Sequence, residues 1–243
     1  IKYKMKTTGN TVFISGGSAG IGLAIAKKLN EAGNKVIING RSEDRLQKAL
    51  AGLKDAVAIQ GDLSVEADRI RIAEDLKTNH AEVNIIINNA GAAFGYLLSE
   101  TTNAHEKAMI EMNTNYFAII HFTELMIPHL LEKEESAVVN VSSIAVYGSH
   151  KFLPTYGATK AALHSYTTAL RQTDCIPLLA IRIIYPSNGL VNRTLLPAPK
   201  TKKFLLKSPC LKISVNVSLS FTSIKKFVFS SIPNVLKGFK EIF

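Results

Sequence analysis

Short apolar runs alternate along the chain with stretches in which apolar residues return at helical spacing. Thr11-Val12-Phe13-Ile14 is a β-branched run ahead of a glycine cluster, and it is predicted as a buried strand. Residues 21–30 then repeat apolar positions at Ile21, Ala24, Ile25 and Leu29, which predicts a helix stopped at Gly33. Further strands are predicted over 35–38, 57–59, 83–87, 137–141 and 178–184. Between them the pattern predicts helices over 42–53, with Ser42 as N-cap, and over 66–79, 104–115, 116–132 and 156–171. Strand and helix taking turns in this way is the signature of βαβ units. The expected fold class is α/β, a three-layer doubly wound parallel sheet of Rossmann-like type. Such sheets bind ligands beyond the carboxyl ends of their strands, where strand order reverses.

Composition changes this picture little until the end of the chain. The 243 residues suit one domain, and 47% of them are hydrophobic, enough for a substantial core. No apolar run reaches the length of a membrane-spanning helix, and no signal peptide is visible, with Met5 expected as the natural start. Two cysteines, Cys175 and Cys210, fit a reducing cytoplasm better than a disulfide framework. Neither has metal-ligand spacing and the histidines are scattered, so no metal site is expected. The net charge of +10 is concentrated: residues 200–243 hold nine lysines, no arginine and one acid, Glu241, and so carry +8 of it. The basic balance is thus a property of the tail and does not point to nucleic acid.

Two constellations carry chemistry. The loop after the first strand, Ser15-Gly16-Gly17-Ser18-Ala19-Gly20-Ile21-Gly22, has glycines at 16, 20 and 22 between a strand and a helix. Glycine there lets backbone approach a phosphate, and the helix N-terminus offers unbonded amides and a positive dipole end. Its Gly-x-x-x-Gly-x-Gly spacing differs from the Gly-x-Gly-x-x-Gly of ordinary dinucleotide folds and from a Walker loop. The second constellation is Tyr156 and Lys160, four residues apart on a predicted helix, with Ser143 thirteen residues before the tyrosine. Positions i and i+4 share a helix face, and a nearby cation favours phenolate, which would bring tyrosine into use near neutral pH.

The glycine loop, Asn88-Asn89-Ala90-Gly91 after the fourth strand, and Ser143…Tyr156…Lys160 together resemble the short-chain dehydrogenase/reductases of the compact branch. The resemblance covers about residues 9–195, and the first 173 residues look especially like bacterial reductases associated with D-alanylation of teichoic acids. It implies an oxidoreductase that moves hydride between a nicotinamide and a carbonyl or alcohol carbon of a small-molecule substrate. Tyr156 would be the general acid/base, Ser143 (rather than its neighbour Ser142) would bond the substrate oxygen, and Lys160 would hold the nicotinamide ribose and lower the tyrosine pKa. Asn113 matches the family's fourth catalytic residue, which keeps a water relay near the lysine, with Asn115 as a rival. Cofactor contacts are expected from Gly16, Ser18, Gly20, Ile21, Gly22, Asp62, Leu63, Asn89, Ala90, Gly91, Tyr156, Lys160 and Pro186, with Asp62 at the adenine amino group. The second strand ends in Ile38-Asn39-Gly40-Arg41, without the acid that would bind a ribose 2′-hydroxyl. Arg41, assisted by Ser42, suits a 2′-phosphate, so NADP(H) is favoured over NAD(H). The resemblance also implies a homo-oligomer, dimer or tetramer.

The pattern breaks late in the chain. Pro186 is followed by Ser187 where the family has glycine, and Thr194 comes later than usual. The expected division is a Rossmann-like domain over 5–195 and an atypical basic segment over 196–243. Phe221, Ile224, Val228, Ile232, Val235, Phe239 and Ile242 follow a helical beat that Pro233 interrupts. Three readings stand for this segment: a membrane-surface anchor, an unusual lid or subunit interface, or an altered C-terminus. They give two rivals to the enzyme, a cofactor-binding protein impaired in turnover and a membrane-peripheral protein.

Overall fold

In the computed structural model, residues 5–148 and 150–171 are described in full, and 179–184 in their backbone. The expected boundary after residue 195, Cys175, Pro186, Thr194 and the basic tail lie outside the described residues.

Each strand is a short apolar segment: β1 (Thr11–Ile14), β2 (Lys35–Gly40), β3 (Val57–Gln60), β4 (Val83–Asn88), β5 (Ser136–Val141) and β6 (Leu179–Ile184). They form one parallel sheet in the order β3-β2-β1-β4-β5-β6, so the order reverses between β1 and β4. Side chains alternate across the sheet. Val12 and Ile14 join Ile25, Leu29, Val36, Ile38 and Leu46 on one face, while Phe13 joins Ile37, Ile72, Leu76, Ile86, Phe122 and Met126 on the other. The first face is covered by α1 (Gly20–Glu31) and α2 (Glu43–Leu50), the second by α3 (Glu66–Asn79) and α5 (Ala118–Leu131). Burial on both faces explains why the strands read as continuous apolar runs instead of alternating ones.

Element boundaries follow local chemistry. The Ser42 side chain accepts from the Arg45 amide as the N-cap of α2. That helix ends at Leu50, short of the expected residue 53, because the Gly52 and Leu53 amides turn back onto Ala49 and Leu50. The expected helices over 104–115 and 116–132 are α4 (Ala104–Met112) and α5, joined through a π-helical turn, Asn113–Phe117. A π-turn widens the helix locally and is a common mark of functional sites. Finally, α6 (Tyr156–Leu170) lies beside the sheet and is tied to it by a buried polar chain. The Asn88 amide donates to Asn140 (2.8 Å), the Asn140 amide to Thr167 (2.9 Å), and the Thr167 hydroxyl to the Leu163 carbonyl (2.6 Å). Among the described residues no helix is long and apolar enough to cross a membrane.

Candidate nucleotide cleft and proton-transfer site

The glycine loop leaves β1 and meets the loop after β4 at the point where strand order reverses. Ser15 sews the two together. Its Oγ accepts from the Asn89 and Ala90 amides at 2.9 and 3.0 Å, and the Asn89 amide group donates to the Ser15 carbonyl at 2.9 Å. Gly16 has φ +63°, a region glycine enters freely. Gly22 has no room for a side chain: a Cβ would lie 2.2 Å from the Gly16 carbonyl oxygen and 2.6 Å from Asn89 Nδ2. Ala19, the N-cap of α1, has no side chain that can cap, so the first amides of the helix remain available to an anion. These features fit a dinucleotide phosphate. Ser18 lies against Gly40 at the end of β2, and Ile21 packs on the core from within α1.

Beyond β2 and β3, the Arg41 guanidinium is 80% exposed and 3.5 Å from Asp62. Such surface pairs contribute only about 0–1 kcal/mol, so the arginine is readily reoriented. The other Asp62 oxygen accepts from the amide and hydroxyl of Ser64. Asn39 is fully engaged with the carbonyls of Ile59 and Gly61. A cleft lined by Asp62, Leu63, Ser64, Ala90, Thr114 and Phe122 opens at the carboxyl ends of the strands.

Tyr156 and Lys160 open α6 on one face, with the ammonium 5.8 Å from the phenol ring centre. Lys160 is buried and donates to the Val141 carbonyl at 3.0 Å; burial pushes its pKa down to about 8. Tyr156 lies above its ordinary range. Burial is the main cause, a hydrogen bond with Ser143 opposes it, and the charge of Glu111 adds to it. The expected lowering of the tyrosine by Lys160 does not appear: desolvation of the phenol sets the direction, and Lys160 is not among the groups that shift it. The structure also separates the two serines. Ser143 is half-buried, acts on the Tyr156 pKa and accepts from the Ala145 amide, whereas Ser142 is buried with no partner for its Oγ among the described residues.

The two asparagines are separated as well. Asn113 donates to the Ser64 carbonyl at 3.0 Å, away from the lysine. Asn115 is fully buried, bonds both the amide and the carbonyl of Ala92 (2.8 Å each), and donates to Thr159 Oγ1 at 3.0 Å. A Cβ on Gly91 would lie 3.0 Å from Asn115 Oδ1 and 3.7 Å from Lys160 Nζ, so these three residues share one spot. Residues two apart on a helix point roughly in opposite directions, so only one asparagine can face α6. The sequence reading missed Ser15, Thr155, Thr159 and Glu111. The matching i,i+4 pairs, Glu111/Asn115 and Thr155/Thr159, were the available signal for the last three.

Comparison with known proteins agrees with this geometry. The family model for short chain dehydrogenase matches residues 10–194. An uncharacterized oxidoreductase of Bacillus subtilis, DltE, is 40% identical over 167 residues, covering 69% of this chain and 66% of that protein. A probable NADP-dependent dehydrogenase of Haemophilus influenzae is 34% identical over 169 residues, with the same two coverages of 69% and 66%. The chain thus spans just under two thirds of the length of these two relatives. Among solved structures, a short-chain dehydrogenase from Sphingobium yanoikuyae in complex with NADPH superposes with a TM-score of 0.66 at 26% identity, covering 73% of this chain and 70% of that one. A chain with this sheet order, this glycine loop and this tyrosine–lysine pair belongs to the short-chain dehydrogenase family of oxidoreductases.

Proposed function

We propose that the chain is an NADP(H)-dependent oxidoreductase acting on a carbonyl or alcohol carbon of a small molecule, with Tyr156 handling the proton. The observation that carries this reading is the buried Lys160 beside the Tyr156 ring, on one face at the start of α6. The nicotinamide, when bound, supplies or accepts the hydride. Ser143 then engages the substrate oxygen. Tyr156 gives its phenolic proton to that oxygen in reduction and takes it back in oxidation. Lys160 holds the ribose from its buried position. Asn115 takes the role expected of Asn113, on the strength of its burial next to Gly91 and Lys160.

The glycine loop with the start of α1 would hold the phosphates, Asn89, Ala90 and Gly91 the middle of the dinucleotide, and Asp62 and Leu63 the adenine end. The preference for NADP(H) rests on Arg41, exposed at the end of β2 where no acid stands, with Ser42 beside it. A Rossmann-like unit over about 5–195, assembled as a homodimer or tetramer, belongs to the same proposal. Met109 and Phe117, exposed at 56% and 52% on α4 and the π-turn, support assembly, and sedimentation of the full chain measures it.

NADPH consumption against a panel of ketones and aldehydes tests the activity. Tyr156→Phe is expected to lose about a hundredfold or more in rate, and equal rates would overturn the mechanism. Arg41→Ala is expected to cut kcat/KM with NADPH by about tenfold while leaving NADH nearly unchanged. An unaltered ratio between the two cofactors removes Arg41 from the argument.

A further inference from the structure

Glu111 sits near the end of α4 with no exposed surface. Among the described residues no lysine or arginine lies within ion-pair distance of it. A carboxylate buried in this way needs hydrogen bonds to both oxygens. It has them: the Phe94 amide donates to Oε1 and the Thr155 hydroxyl to Oε2, each at 2.7 Å. Thr155 Oγ1 is also 2.8 Å from the Tyr96 hydroxyl. Because a carboxylate only accepts, Thr155 must donate to Glu111 and accept from Tyr96.

The position of Thr155 makes this arrangement informative. It is the N-cap of α6, the residue before Tyr156, where a threonine hydroxyl ordinarily bonds its own helix amides. Here it makes no such cap and is committed to Glu111 instead. The acid gains from the positive end of α6, which helps it remain buried. One turn further on, Asn115 donates to Thr159. Two rungs, Glu111–Thr155 and Asn115–Thr159, thus join α4 and the π-turn after it to α6 at matching i,i+4 steps, and Tyr156 and Lys160 are the residues that follow each threonine. Tyr96 is itself joined to the opposite loop, its amide donating to the Phe152 carbonyl at 3.1 Å.

We propose that Glu111 is a positioning residue for proton transfer, clamping the Thr155–Tyr156 end of α6 against the loop that carries Phe94 and Tyr96. The proposal rests on the reading of Tyr156 as the proton-transfer group. The groups facing Tyr156 are Ser143 from the end of β5, Lys160 from its own helix and Glu111 from α4. Lys107, one turn before Glu111 on α4, lies over the Tyr96 ring at 4.5 Å. The negative charge of Glu111 opposes ionisation of the phenol, so removing it should let Tyr156 ionise at lower pH.

Glu111→Gln keeps the shape but removes the charge and one acceptor. Thr155→Val removes the hydroxyl, and Thr155→Ser restores it. In the full chain, Glu111→Gln and Thr155→Val are expected to lower kcat about ten- to a hundredfold with NADPH affinity within about threefold, and Thr155→Ser to recover most of the rate. Tyrosinate absorbance, taken as the difference from the corresponding Tyr156→Phe chain, is expected to show Tyr156 ionising at lower pH in Glu111→Gln. Wild-type kcat in either variant, or an unmoved tyrosinate midpoint in a folded Glu111→Gln chain, would overturn the proposal. If Glu111→Gln does not fold, the Thr155 variants decide it. A wild-type chain that reduces no carbonyl defeats the functional reading instead, and the absorbance titration still decides whether Glu111 acts on Tyr156.

Discussion

Lys160 shows how the site is tuned at the residue scale. Its ammonium is buried with one carbonyl as partner, and desolvation brings its pKa from 10.5 to about 8. Between these two pH values the unfolded chain holds a proton that the folded chain has released. Stability therefore rises with pH across that window and is lowest below it, where the buried charge is at full cost. Relative to Lys160→Met, the nucleotide-free wild type is expected to gain on the order of 3 kcal/mol between pH 8 and 10.5. Denaturant unfolding at pH 7, 8, 9 and 10 checks this, and a difference independent of pH contradicts it. Tyr156 shifts upward for the same reason, burial of the group that would carry charge, which keeps the phenol protonated at neutral pH.

At the scale of the element, the β1-to-α1 turn works because backbone is packed directly on backbone. Gly22 is buried within α1 and faces the Gly16 carbonyl and the Asn89 amide, the two groups that hold the loop's shape. Gly22→Ala is expected to cost about 1–3 kcal/mol by overpacking and to weaken NADPH binding at least about tenfold. Thermal denaturation and fluorescence titration measure the two effects, and binding unchanged within error would separate the loop from the cofactor. This turn was legible in the sequence, since glycine between an apolar run and an amphipathic stretch is a local signal. The π-turn at 113–117 was not. A widened turn has no local sequence signal, and here it coincides with the bonds of Asn115 to Ala92 and Thr159, residues distant along the chain.

Across the whole molecule, the sheet and α6 are coupled through the chain Asn88–Asn140–Thr167. Asn140 is fully buried, donates to one neighbour and accepts from the other. Asn140→Ala would leave Asn88 with only its longer bond to Thr123 and Thr167 with only its bond to Leu163. It is expected to destabilise the fold by about 1–3 kcal/mol, with loss of activity exceeding loss of NADPH affinity because α6 loosens. Urea unfolding compared with kcat and NADPH Kd checks this, and proportionate losses of rate and affinity would argue against the coupling. Seen whole, the sequence determined what depends on neighbours along the chain. Apolar periodicity marked six strands and their helices to within a few residues, glycine spacing marked the turn from β1 to α1, and i,i+4 spacing paired Tyr156 with Lys160. Tertiary structure alone decided strand order, the different surroundings of Asn113 and Asn115, the burial of Glu111 and the direction in which the Tyr156 pKa moves. Each of these depends on which segments meet in space and how much water they exclude, and residue spacing does not encode either.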